Sequence, residues 1–224
     1  MTAMEDRQRD TVLIFDYDGT LHNSGLIYVP AFRRMYDTMV RDGIAEPRDW
    51  EPEEINHYLG YSAVEMWLEF MPDIDRELME SYCLQVGEEM RSIIEDGDAQ
   101  WYDGAAEVLQ TLKDRDYRMV VLSNCRKVYL DINREAFGMD RFFEGYYDCE
   151  SYDNAPKTEI FREIRREHPA EEYIMIGDRR HDLEVATTHQ LTFIGCTYGY
   201  GKPEELENAE NKIGDIRELL TLLP

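Results

Sequence analysis

Asp16 and Asp18 stand two residues apart in Asp16-Tyr17-Asp18-Gly19-Thr20-Leu21, and Asp178 and Asp182 stand four apart in Gly177-Asp178-Arg179-Arg180-His181-Asp182. Between the clusters lie a hydroxyl, in Ser123-Asn124, and an ammonium, Lys157, after Asn154-Ala155-Pro156. Gathered into one pocket, four carboxylates would repel one another unless a cation sat among them. Oxygen ligands without a His or Cys set of metal spacing ask for a hard cation, and Mg2+ is the natural choice. A Mg2+ ion with open positions shares them with a substrate phosphate. The ammonium, the hydroxyl and the backbone N–H groups after Asp16 suit the same anion. Asp16 is then a candidate nucleophile, since carboxylates form aspartyl-phosphates. Asp18 can protonate the leaving oxygen and later take a proton from water.

Taken singly, each group has a plainer reading. A DxDG run occurs in turns and calcium loops. Asp178 and Asp182 suit a helix N-terminus, where the dipole favours them. Ser123-Asn124 could cap a helix over Arg126–Ala136, and Lys157 could be a surface lysine. Their joint order along the chain is what argues for one site.

The elements that would position these groups are short apolar runs. Thr11-Val12-Leu13-Ile14-Phe15 leads into Asp16, Met119–Leu122 into Ser123, and Tyr173–Ile176 into Gly177; Leu191–Ile194 is a fourth run. Such runs suit strands covered on both faces. Helical stripes alternate with them, as at Ala105, Val108, Leu109 and Leu112, and at Ile160, Phe161 and Ile164. Alternation of this kind predicts a parallel sheet with helices on both faces, and ligands of such sheets bind beyond the strands' carboxyl ends. From about Gly25 to Gln100 the rhythm changes to successive helices. Phe32, Met35, Tyr36 and Met39 make one stripe; Val64, Trp67 and Leu68, then Leu78, Tyr82, Val86 and Met90, make others. A block this long is not a loop. The expected organisation is an α/β core over 1–24 and 101–224 with a helical subdomain over 25–100.

Charge sets limits on partners. The 224 residues carry 24 Lys+Arg against 48 Asp+Glu, for a net charge of −24. The insert has six Arg, no Lys and eighteen acids. This balance argues against nucleic-acid and anionic-membrane partners, and no apolar run is long enough to span a membrane. Met1–Asp10 is charged and leads into no secretory core. Cys83, Cys125, Cys149 and Cys196 are far apart and form no CxxC pair. A cytoplasmic protein, monomeric or homodimeric, acting on a small-molecule phosphate ester is expected.

In this order the motifs resemble those of the haloacid dehalogenase (HAD) superfamily over essentially the whole chain. Asp16–Leu21 is similar to its DxDGT motif, Ser123 to the Ser/Thr closing its second motif, Lys157 to its third and Gly177-Asp178 with Asp182 to its GDxxxD motif. Tyr102-Asp103-Gly104 and Thr197-Tyr198-Gly199-Tyr200-Gly201 resemble the phosphoglycolate-phosphatase-like branch. The resemblance implies a Rossmann-like three-layer α/β core with an inserted, type 1 α-helical cap. It implies that Asp16 is nucleophile and Mg2+ ligand, and that Asp18 is acid/base and offers the metal its backbone carbonyl. Gly19, Thr20, Ser123 and Asn124 would line the phosphate site, with Thr20 and Ser123 bonding the phosphoryl group and Lys157 neutralising it. Asp178 would hold Mg2+ with Asp182 in support, and Gly60-Tyr61 would be the cap loop touching substrate.

Within the superfamily, Asp18 favours phosphoryl transfer over dehalogenation, since a halide needs no acid. A cap without lysine excludes the Schiff-base phosphonatase reaction. Hydrolysis of a phosphoglycolate-like ester, a sugar phosphate, a nucleotide or pyrophosphate leads. A β-phosphoglucomutase-like transfer and a catalytically silent binding protein are the alternatives. Arg179 and Arg180 are unusual in the fourth motif and would pair with acids or hold an anionic substrate. Arg33, Arg34 and Arg41 have the same two readings. His22 and His181 could face the pocket or simply pack, and Cys125 is expected to be a small packed residue. Ala186-Thr187-Thr188-His189-Gln190 lacks the usual Ala-Gly turn, which leaves the local geometry there in question.

Overall fold

A computed structural model describes residues 8 and 10–223. The leader reading of Met1–Asp10 therefore lies outside the described residues except at Gln8 and Asp10. Six strands follow in chain order: β1 (Thr11–Phe15), β2 (Arg118–Ser123), β3 (Gly145–Asp148), β4 (Glu172–Gly177), β5 (Thr192–Cys196) and β6 (Asn211–Ile213). The helices are α1 (Gly25–Arg41), α2 (Pro52–Asn56), α3 (Ala63–Phe70), α4 (Arg76–Glu95), α5 (Ala105–Asp114), α6 (Lys127–Ala136), α7 (Lys157–Glu167), α8 (Arg180–His189) and α9 (Leu219–Leu222). The strands form one parallel sheet in the order β3-β2-β1-β4-β5-β6.

Every residue of β1 is buried because both faces of the sheet are covered. Leu13 and Phe15 join Met119, Val121 and Ile176 in one apolar layer, while Val12 and Ile14 join Val120, Leu122 and Met175 in the other. Successive side chains enter opposite layers, so the strand reads as an unbroken apolar run. Ala105, Val108, Leu109 and Leu112 of α5 close the first layer, and Ile160, Phe161 and Ile164 of α7 the second. The expected three-layer α/β architecture is therefore present. The reading of four strands needs a correction, because β3 and β6 are added at the two edges. Their sequences, Gly-Tyr-Tyr-Asp and Asn-Lys-Ile, are short and mixed, as suits strands with a single neighbour.

Residues 25–95 carry α1–α4 and no strand. Phe32, Met35 and Met39 of α1 meet Trp67, Tyr82, Val86 and Met90 in a separate apolar cluster. Val64, Leu68 and Leu78, which share the helical spacing of these stripes, are 45%, 62% and 37% exposed. Helix α3 has only eight residues, and Met66 and Trp67 fill the width it presents to the cluster. Where the chain leaves and rejoins the sheet, the Asn23 N–H donates to the Gln100 carbonyl at 3.0 Å and the Tyr102 N–H to Leu21 at 2.8 Å.

Candidate active site

The strand order puts β1 between β2 and β4, so the carboxyl ends of all three open on one place. Phe15 pairs with Ile176, and the Asp16 N–H continues the ladder to the Ile176 carbonyl at 2.8 Å. That register brings Asp16 level with the start of the fourth motif. Carboxylate oxygens of Asp16, Asp178 and Asp182 lie within 4.8 Å of one another, and all three residues are buried. The chain then turns sharply, with the N–H groups of Leu21 and His22 both donating to the Tyr17 carbonyl at 2.9 Å. Gly19 sits in this turn at φ +80°, where an added Cβ would lie 2.3 Å from Asp178 Oδ2. Conformation and space both require glycine there.

Lys157 is not a surface lysine. It opens α7, is 3% exposed, and places Nζ 2.8 Å from Asp16 Oδ1 and 2.7 Å from Asp182 Oδ1. Asp182 also keeps its plainer role at a helix start, since its Oδ2 accepts the Arg179 N–H at 3.0 Å. Asp178 is held from the loop after β5: the N–H groups of Tyr200 and Gly201 donate to its Oδ2 at 2.7 and 3.3 Å. The Thr20 hydroxyl, assigned to the phosphoryl group by the resemblance, is directed to Asp178 Oδ1 at 3.4 Å. Gly199 passes so close that a Cβ would lie 2.4 Å from Asp178. The Thr197–Gly201 stretch thus positions a carboxylate.

Charge in the cluster is out of balance. Burial, followed by repulsion from Asp182, pushes the Asp16 carboxyl well above the ordinary range despite the opposing Lys157. Burial and Asp182 push Asp178 up to about 7. Burial works against the Lys157 charge, yet Asp16 and Asp182 outweigh it and hold that ammonium protonated above its usual range. One ammonium cannot neutralise three carboxylates. Asp16 Oδ2, moreover, is buried without a hydrogen-bond partner. An orphaned carboxylate oxygen beside two more carboxylates fits a hard divalent cation.

The expectation of four clustered carboxylates is corrected to three. The Asp18 side chain turns aside, accepting the Tyr129 hydroxyl at 2.7 Å. Because that hydroxyl gives its proton to Asp18, it accepts from His22 Nδ1 at 2.8 Å. His22 is fully buried and stacks on Tyr17 at 5.2 Å, so it both packs and supports the site. Tyr129, on α6, carried no sequence signal. Ser123 is buried and its Oγ accepts the Cys125 N–H at 3.2 Å, while Asn124 Nδ2 donates to the Gly60 carbonyl at 3.0 Å. Neither caps α6, whose N-cap is Arg126. Burial pushes the Cys125 thiol up, in keeping with a packed residue.

Gly60 and Tyr61 are joined to the fourth motif through Arg179, which pairs with an acid, as one of its two readings had it, and also makes contacts that neither reading describes. Arg179 is 1% exposed. Its Nη1 donates to the carbonyls of His57, at 3.1 Å, and Leu59, and its Nε pairs with Glu205 at 3.1 Å. Its guanidinium and that of Arg180 lie over the Tyr61 ring at 4.7 and 5.3 Å. Nearby, His181 Nε2 meets Glu65 at 3.0 Å. Arg33 and Arg34 bond Trp50 and Glu89 on the exposed side of α1, and Arg41 bonds Thr38. The missing Ala-Gly turn is met by Gln190, which itself adopts the left-handed conformation at φ +57°.

Several known proteins are similar to this chain. A pyrophosphatase, PpaX, from Listeria monocytogenes serotype 4b is 28% identical over 204 residues, covering 88% of this chain and 87% of its own. A 5′-nucleotidase from Pseudomonas aeruginosa is 26% identical over 199 residues, covering 87% and 86%. The crystal structure of a predicted phosphatase from Clostridium acetobutylicum superposes with a TM-score of 0.77 at 23% identity, over 95% of this chain and 97% of that one. Residues 13–196 match the family model for haloacid dehalogenase-like hydrolases, a span from β1 to the end of β5 that takes in the whole carboxylate cluster; the chain belongs to that family and is a hydrolase.

Proposed function

We propose that this hydrolase is a Mg2+-dependent phosphatase that cleaves small phosphomonoesters through a phosphoryl group carried on Asp16. The observation that carries this reading is the unpartnered, buried Asp16 Oδ2 among Asp178, Asp182 and Lys157. Asp16 and Asp178 would hold the ion with the Asp18 backbone carbonyl, Asp182 in support; bound there, Mg2+ would offset charge on Asp16 and on the phosphoryl oxygens. An Asp16 oxygen attacks phosphorus as the bond from phosphorus to the ester oxygen breaks. Asp18 gives its proton to that departing oxygen. Water then attacks phosphorus and leaves its proton on Asp18, releasing phosphate and restoring Asp16. Lys157 holds Asp16 in place, and the Ser123 hydroxyl would meet the phosphoryl oxygens; the Gly19 and Thr20 N–H groups instead donate to the His22 and Tyr17 carbonyls and hold the turn. Tyr129 and His22 fix the direction of Asp18.

The helical segment 25–100 would act as a cap over the core formed by 1–24 and 101–224, with Gly60 and Tyr61 facing substrate. The paired backbone bonds at Asn23–Gln100 and Leu21–Tyr102 support a hinge at those limits. Closure would exclude water during phosphoryl transfer. The names of the relatives, pyrophosphatase and 5′-nucleotidase, support phosphate substrates. No helix among the described residues is long and apolar enough to cross a membrane. Four free cysteines support a reducing, cytoplasmic setting. Phosphate release from p-nitrophenyl phosphate tests the proposal: it should require Mg2+, stop with EDTA and be lost in Asp16→Asn. Release that survives Asp16→Asn would rule out this nucleophile.

A further inference from the structure

A cavity of about 150 Å³, open to solvent, lies between the carboxyl end of the sheet and the helical segment. Asp18 and Asn124 border it from the sheet side, and Gly60 and Tyr61 from the other. Since a general acid must lie within hydrogen-bond reach of the oxygen it protonates, the group leaving from phosphorus must extend into the space that Asp18 borders.

The walls of that space are aromatic rings and thioethers: Tyr58, Tyr61, Met66, Trp67, Met90 and Tyr129. Among the described residues, two charged side chains reach the lining, Asp18 and Arg126. Arg126 is already engaged, with Nε and Nη2 at 3.0 and 2.9 Å from Glu150 Oε1. The helical segment has no lysine, and none of its six arginines lines the cavity. Arg34, Arg48, Arg76 and Arg91 instead form ion pairs with glutamates. A leaving group bearing a carboxylate or a second phosphate would meet no unpaired cation in the lining formed by the described residues and would face Asp18. A flat, uncharged ring would find aromatic faces and polarisable sulfur on which to stack.

We propose that the substrates are monophosphate esters of an uncharged, ring-bearing alcohol or phenol, whose ring occupies this cavity; the inference rests on the phosphatase reading above. A nucleoside and a phenol share the required chemistry. Steady-state kcat/KM with Mg2+ should be measured for phenyl phosphate, adenosine 5′-monophosphate, phosphoglycolate and inorganic pyrophosphate. At least one ring-bearing ester should exceed both anionic compounds by about 10- to 100-fold, and the better of the two rings identifies the source. Phosphoglycolate or pyrophosphate matching or exceeding both ring esters overturns the inference and leaves the phosphatase reading intact. Hydrolysis of none of the four, or hydrolysis that survives Asp16→Asn, fails the reading itself. A second variant tests the location. Gly87 of α4 borders the cavity, and a Cβ built there meets no atom within 4 Å, so a side chain at this position starts into open space and Gly87→Phe adds bulk beside the cavity. It should lower kcat/KM for the ring esters while changing that for methyl phosphate little. An equal effect on all would refute the placement.

Discussion

Asp178→Asn isolates the electrostatic strain of the carboxylate cluster. Asparagine keeps the shape of the side chain, and its amide oxygen can still accept the Tyr200 and Gly201 N–H groups. It removes a carboxyl whose pKa stands at about 7 in the folded chain against an ordinary 3.8. A folded-state pKa raised above the unfolded one means the native state binds the extra proton. Stability from this group is therefore complete below about pH 4 and is lost as pH rises through about 7. About three pH units at roughly 1.4 kcal/mol each make the loss roughly 4 kcal/mol. Urea unfolding of metal-free protein at a series of pH values from 4.5 to 8 measures it. Relative to Asp178→Asn, the parent chain should lose roughly this amount across the range and be the less stable of the two at pH 8. Mg2+ should close most of that gap, adding about 2.7 kcal/mol to the parent at a concentration 100 times its dissociation constant and far less to the variant. Parallel pH profiles, or equal stabilisation of both chains by Mg2+, would refute the account of the cluster.

Lys157→Met removes the ammonium that joins Asp16 to Asp182, and leaving those carboxylates buried and unpaired should cost about 3–5 kcal/mol in urea unfolding of the metal-free protein. Tyr129→Phe removes the hydrogen bond that directs Asp18, worth about 1.5–3 kcal/mol once Asp18 has given up its proton. If that bond acts in the transition state, kcat should fall about 10- to 100-fold with a shifted pH profile and little change in KM. Gln190→Gly relieves a left-handed residue at about 1 kcal/mol, which thermal unfolding should register as a rise of roughly 2–4 °C.

The central strands were legible because burial on both faces leaves a local record. Val12 and Ile14 point into one layer and Leu13 and Phe15 into the other, so no polar residue interrupts the run. The edge strands at Gly145–Asp148 and Asn211–Ile213 escaped because a strand with one neighbour has no such constraint. Val64 and Leu68 mark a further limit: helical spacing says which residues share a face, not whether a short helix buries that face.

Asp16, Asp18, Ser123, Lys157, Asp178 and Asp182 could be named from their neighbours in the chain, because each sits at or near the end of an apolar run or the start of a helical stripe. The grouping of Asp16, Asp178 and Asp182 within 4.8 Å, apart from Asp18, depends on the tertiary structure. The same holds for the bond from Tyr129 to Asp18, which spans 111 positions, and for the clasp of Arg179 on the carbonyls of His57 and Leu59. Local sequence determined which candidate residues offer reactive groups and which elements present them, since those properties depend on near neighbours and the alternation of burial. Only the order of strands in the sheet, and the approach of the helical segment to it, decided which groups pair, which oxygen is left without a partner, and what lines the cavity beside Asp18.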